Sequence, residues 1–165
     1  MNRLIKKVEW GLSVKVITVI VLVILIIGEY FLIHSMLDFT NWILSIIVFA
    51  IPVLCIYCIC NIPRFIEINE KELVLKKLWG KLIIDIDTIT DVECYKPNKS
   101  DLRLFGSSGF FGYTGLFWNA DIGKYRVYIG NISQAFLIHT ECNKIYVFSC
   151  TDRNLVINAI KNKIQ

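Results

Sequence analysis

The sequence predicts a membrane-anchored α+β protein: a two-helix transmembrane hairpin, then an antiparallel β-barrel of about seven strands with a C-terminal capping helix. Three observations predict it. Two apolar runs of about 20 residues, Val14–Ile33 and Trp42–Ile62, stand near the N-terminus. From Arg64 onward apolar and polar residues alternate in twos, as strands do. The last residues return to three- and four-residue spacing, as an amphipathic helix does. The chain therefore divides into a basic juxtamembrane segment (1–13), a transmembrane hairpin (14–62) and a water-facing domain (64–165).

Each apolar run suffices to cross the membrane. A helix rises about 1.5 Å per residue, and the hydrocarbon core is about 30 Å thick. The eight residues His34–Asn41 join the runs, which predicts a tight hairpin. The chain has 165 residues, 55% of them hydrophobic, and the apolar excess lies in its first 62. Mean hydropathy is accordingly high, at +0.56. What remains is enough for one soluble domain. The first run is longer than a secretory h-region, and no small-residue cleavage site follows it, so it is expected to stay in place.

Lysine and arginine set the expected orientation. There is none between Lys15 and Arg64, whereas Arg3, Lys6, Lys7 and Lys15 lie before the first run or at its very start and Arg64, Lys71, Lys76, Lys77 and Lys81 follow the second. Both termini are expected in the cytoplasm, with a multi-pass protein in the inner (cell) membrane. A net charge of +4 suits a domain facing an anionic leaflet and is also ordinary. The basic residues lack the interleaving of a nucleic-acid footprint. Cys55, Cys58 and Cys60 sit at membrane depth among Leu, Ile and Tyr, where thiols read as small packing residues rather than metal ligands.

Met1–Ser13 places Leu4, Ile5 and Val8 roughly on one helical face, which predicts an interfacial lead-in, with Trp10 at headgroup level. Glu29 is the one carboxylate of the first run and reads as reaching outer interfacial water or touching the second helix. Pro52 is expected to kink the second helix, and Trp42 to mark the outer interface. Then Phe65–Asn69, Glu72–Trp79 and Leu82–Ile84 predict three meandering strands, with a fourth near Val92–Tyr95. Tyr125–Ile129 predicts another. Ala135–Thr140 and Lys144–Ser149 predict a hairpin across Glu141-Cys142-Asn143. Thr151-Asp152 can cap a last helix, whose apolar face is Leu155, Val156, Ala159, Ile160 and Ile164, with Lys161 and Lys163 at its C-terminal end.

The most unusual stretch is Arg103–Tyr125, RLFGSSGFFGYTGLFWNADIGKY. It holds five glycines, four of them three residues apart, and six aromatics before Lys124. Glycines allow positive φ and close backbone approach, so one reading is structural. A second makes Phe110, Phe111, Tyr113, Phe117 and Trp118 an apolar tip dipping into the bilayer interface. A third makes Gly106, Ser107, Ser108 and Gly109 an anion nest, with Arg103 and Lys124 supplying charge. These eleven residues are the candidate ligand or membrane contacts. A nucleotide P-loop is disfavoured, because no Gly-Lys-Ser/Thr follows. Gly-Ser-Ser-Gly falls one residue short of a nucleophile elbow. His34 and His139 are expected on opposite sides of the membrane. No catalytic, metal or cofactor site is expected.

The run Asp85-Ile86-Asp87-Thr88-Ile89-Thr90-Asp91-Val92 and, above all, Arg103-Leu104-Phe105-Gly106-Ser107-Ser108-Gly109-Phe110-Phe111-Gly112-Tyr113 resemble bacterial pleckstrin-homology (PH-like) proteins with two N-terminal spans. The second run is similar to that family's R-x-F-G-S-x-G-x-F-G-Y pattern and continues through Gly115, Phe117, Asn119 and Gly123. The resemblance covers about Arg64–Lys161. It implies a PH-like fold and a non-enzymatic role at the membrane. The role expected of this chain there is to bind a protein partner or assemble with itself. The alternative is recognition of anionic lipid headgroups through 103–124.

Overall fold

The computed structural model describes residues 3–38, 42–98 and 100–164, with side chains over the same ranges except 35–38 and 42–45. The N-terminal segment is a strand, β1 (Leu4–Lys7), rather than the interfacial helix expected of it. It pairs antiparallel with β2 (Pro63–Ile68), Leu4 opposite Ile68 and Lys7 opposite Phe65. Between these neighbouring strands the chain makes two apolar helices, α1 (Leu12–Asp38) and α2 (Trp42–Cys60). The helical pair is thus a long insertion in one β-ladder. Pairing at that separation is non-local, and four residues of LIKK do not announce it.

The apolar helices meet the expectation in part. Among the described residues, Leu12–His34 is long and apolar enough to cross a membrane, whereas the second apolar stretch, Ile46–Cys60, is shorter. Of the expected two-span hairpin, the described residues show one candidate span followed by a shorter apolar helix. α1 also runs past the expected loop start at His34, to Asp38, and 39–41 lie outside the described residues. The side chain of Trp42 likewise lies outside them. One carboxylate oxygen of Glu29 is buried with no hydrogen-bond partner among the described residues.

The first sheet continues through β3 (Glu72–Lys77) and β4 (Lys81–Asp85), in the order β1-β2-β3-β4. A 3-10 turn at Ile86–Thr88 leads into β5 (Ile89–Cys94). Then come β6 (Leu102–Ser108), β7 (Tyr113–Asn119), β8 (Gly123–Ile129), β9 (Ala135–Thr140) and β10 (Ile145–Ser149), and last the helix α3 (Arg153–Ile164). These form a second, six-stranded sheet in the order β5-β9-β10-β8-β7-β6, with β8 and β10 parallel. The expected barrel of about seven strands is corrected to a sandwich of ten strands in two open sheets. The chain leaves the first sheet after Asp85, and β5 pairs with β9 instead of β4.

Alternation places the core. Ile66, Ile68, Leu73, Leu75 and Ile84 point from the first sheet onto Phe136, Ile138, Tyr146 and Phe148 of the second. Each such aliphatic side chain contributes about 1.5–3 kcal/mol on burial. α3 closes the open side with Val156, Ile157 and Ile160, while Leu155, expected on that face, stays 54% exposed. Asp152 does not cap α3 through its carboxylate, which turns instead to Lys6 at 2.8 Å. The other face of the second sheet carries a smaller core of Phe117, Tyr125, Val127, Ile129, Leu137 and Val147. β9 serves both cores, so Ala135, Phe136, Leu137 and Ile138 are all buried.

Candidate functional site

The glycine–aromatic run forms the β6–β7 hairpin, and its glycines are needed at two levels. Gly106 and Gly115 face each other across the ladder with φ of +114° and +128°. A Cβ on Gly106 would collide with the Thr114 carbonyl oxygen, and one on Gly115 with that of Phe105. The two backbones lie closer than side chains allow. At the tip, the Ser107 hydroxyl donates to the Phe110 carbonyl at 2.5 Å, and the Gly109 amide to the Gly112 carbonyl at 3.0 Å.

That tip rests on the first turns of α1. A Cβ on Gly109 would come within 2.7 Å of the Ile17 side chain. The buried Thr18 hydroxyl accepts the Phe111 amide proton at 2.9 Å and donates to the Gly109 carbonyl at 3.2 Å. Phe111 holds a left-handed φ of +57° and lies 5.9 Å from the Trp10 ring. Lower on the hairpin, Phe105 meets Tyr57 of α2 edge-on at 6.3 Å. Backbone bonds complete the junction: Gly11 to Gly130, Leu78 to Ile62 and Trp79 to Cys60.

The structure therefore gathers Ser107, Gly109, Phe110 and Phe111 at the helix base and spreads the other candidates apart. Phe117 is buried in the smaller core, and Tyr113 is half-buried beside it. Trp118 lines up with Leu102 on one side and Lys124 on the other. Arg103 lies opposite Phe117, and adjacent strand residues point to opposite faces. Arg103 and Lys124 therefore project from different faces of the sheet and do not converge on Gly106–Gly109. Leu102, Leu104 and Phe105 on the edge strand β6 are 56%, 51% and 63% exposed.

Two polar groupings escape a reading by sequence. Buried Glu67 is bracketed by Arg3, just before β1, and by Lys76 of β3, the latter at 2.6 Å. Burial alone would raise its pKa, but the hydrogen bonds and charges of Lys76 and Arg3 outweigh that and hold the carboxyl below the usual range. At the far end of the sandwich, Asp101 accepts from the Tyr95 hydroxyl at 2.6 Å, the Asn98 amide at 2.8 Å and the Asn119 side chain. These bonds outweigh burial and lower its pKa. Burial, reinforced by the Asp101 bond, raises the Tyr95 hydroxyl, and burial pushes Tyr125 up to about 12.

No three His, Cys, Asp or Glu side chains converge as metal ligands among the described residues. Asp85 and Asp91 serve locally: the Asp85 carbonyl accepts from Thr88, and the Asp91 carboxylate from the Val92 amide. No curated protein and no solved structure matches the chain. A family model described as "Bacterial PH domain" matches residues 64–164, which spans both sheets from β2 onward and α3. PH domains are in general binding modules rather than catalysts, and by this match the chain belongs to the bacterial PH domain family.

Proposed function

We propose that this chain is a non-enzymatic, multi-pass protein of the cell membrane whose PH domain serves as a binding or assembly module on the cytoplasmic face. One observation carries the reading: α1 and α2 are inserted in the β1–β2 ladder, so the apolar helices leave the domain from two hydrogen-bonded strands. Such a joint orients the domain against the bilayer instead of letting it swing on a linker. The absence of Lys and Arg between Lys15 and Arg64 supports cytoplasmic termini. The edge strand β6, with Leu102, Leu104 and Phe105 exposed, is the contact surface for a protein partner or a second copy. A photo-crosslinking residue at Leu104 in intact cells tests this. A discrete adduct is expected, and its mass tells a partner from a second copy. A smear no different from that at Lys144 rejects the surface.

A second reading, recognition of anionic lipid by 103–124, has its own support. Leu102, Trp118 and Lys124 form one cross-strand row, and Phe105, Leu116 and Arg126 the next. Apolar side chains backed by cations suit an anionic interface. Binding of the full chain's exposed face to anionic vesicles would then fall on Lys124→Gln and weaken with salt.

A further inference from the structure

We infer that a cleft at the base of the two helices holds the phosphate of an anionic lipid headgroup, an inference that rests on the membrane reading above. The cleft has a volume of about 560 Å³, and both ends of the helical insertion line it: Val8–Trp10 and Lys15 before and in α1, Ile62–Arg64 after α2.

Its charge is unbalanced. Lys7, Lys15 and Arg64 face it against one carboxylate, Glu9, which leaves two positive charges in excess. Ion pairs among the described residues take up Arg3, Lys6 and Lys76, whereas Lys7, Lys15 and Arg64 have none. Three unpaired cations around one cleft repel one another until an anion sits among them. An arginine fork with lysine point charges is the donor set that phosphate takes.

The depth fits as well. Lys15 lies three residues into α1, about 5 Å along its axis. The headgroup layer is about 5–8 Å deep on each side of the hydrocarbon. A lysine at that height is costly against acyl chains and favourable beside a phosphate. Trp10, half-buried in the cleft wall, supplies an amphipathic ring of the kind that settles at this level. Val16, Val19 and Ile20, farther along α1, are exposed and offer acyl chains an apolar track. A free phosphate would leave that track unused, so the lipid is the favoured source.

The test uses the full chain in zwitterionic detergent, with native mass spectrometry counting retained lipid. Phosphatidylglycerol is expected to be retained about fivefold or more over phosphatidylcholine. Lys15→Gln and Arg64→Gln are each expected to cut that retention about fivefold. Both side chains are exposed, so the fold should survive. Lys144→Gln, far from the cleft, is expected to bind as wild type. Unchanged retention in both cleft variants overturns the inference. So does displacement of the lipid by millimolar glycerol phosphate, which would make the ligand a soluble anion. Alkaline carbonate extraction of cell membranes separates the two failures. A chain released by carbonate defeats the membrane reading, whereas a chain that stays integral and retains lipid regardless of Lys15 and Arg64 defeats only the cleft.

Discussion

The Thr18 hydroxyl and the Phe111 amide lie 2.9 Å apart, and this bond joins the first turns of α1 to the tip of the β6–β7 hairpin. The same hydroxyl donates to the Gly109 carbonyl, so one side chain satisfies a donor and an acceptor of a loop 91 residues away. The candidate membrane-spanning helix is thereby fastened to the far sheet as well as to the near one. The hairpin works as a wedge between domain and helix.

Thr18→Val should release that wedge. The substitution keeps the shape and leaves a buried amide and a carbonyl without partners, at a cost of about 1–3 kcal/mol. Hydrogen exchange at Phe111 in detergent-solubilised protein should rise about tenfold or more. Thr18→Ser, which keeps the hydroxyl, should exchange much as wild type does. Equal protection in all three would show that the bond does not hold the loop.

The glycine pair makes a sharper contrast. Gly115→Ala should cost at least about 3 kcal/mol, because a left-handed φ and a backbone collision act together. Gly80 has a similar φ of +81°, but a Cβ there meets nothing within 4 Å. Gly80→Ala should therefore cost only the conformational penalty of about 1–2 kcal/mol. Thermal unfolding of the two variants should separate them by many degrees. Equal melting points would mean that the β6 and β7 backbones do not need their close approach.

Much of the domain could be read from local pattern. The strands around Ile66, Leu73 and Ile84, the hairpin across Asn143 and the last helix all announce themselves by spacing, because burial of one face imposes that spacing on adjacent residues. What could not be read were relationships between distant residues. β1 is too short to show a period, and its partner lies beyond two helices. The parallel pairing of β8 with β10 and the separation of β4 from β5 are choices between edges that share one apolar pattern. At the site, the glycine–aromatic run stood out, but its partner, Thr18, is a single hydroxyl in an apolar run and looks ordinary there. Alternation does forecast that neighbouring strand residues part to opposite faces. The separation of Arg103 from Lys124, however, needed the register of three strands.

Glu67 gives the chain an acid-sensitive joint between β1 and β3. Its lowered pKa means that the unfolded chain takes up the proton first as pH falls. The contribution is fully present above the ordinary carboxylate range and is lost as pH drops through the folded value. Glu67→Gln should cost about 1.5–3 kcal/mol at pH 7. Arg3 and Lys76 are 47% and 45% exposed and stay hydrated when the carboxylate goes, which keeps the loss below that of a fully buried pair. Melting curves should show the gap between wild type and variant shrinking below about pH 4. A gap independent of pH would assign the effect to shape rather than charge.

Asp101 tethers the loop that follows Tyr95, and its partners titrate at the other end of the scale. Asp101→Asn weakens three bonds to a carboxylate and should cost about 1.5–3 kcal/mol near neutrality. Because the Asp101 pKa is lowered, that stability too disappears as pH falls below the ordinary carboxylate range, where the variant and wild type should converge. The tyrosines act in the opposite sense. With both hydroxyls raised, the unfolded chain gives up its protons first, from about pH 10 upward. Their contribution is whole below that point and is lost as pH climbs towards the folded values, which for Tyr125 is about 12. Tyr95→Phe should therefore flatten the alkaline limb of the stability profile and trim the Asp101 share of the acid limb, while the Glu67 share stays in place. If Tyr95→Phe instead lowered stability by the same amount at every pH, the network would be acting through packing, and the Tyr95–Asp101 bond would carry no net weight of its own.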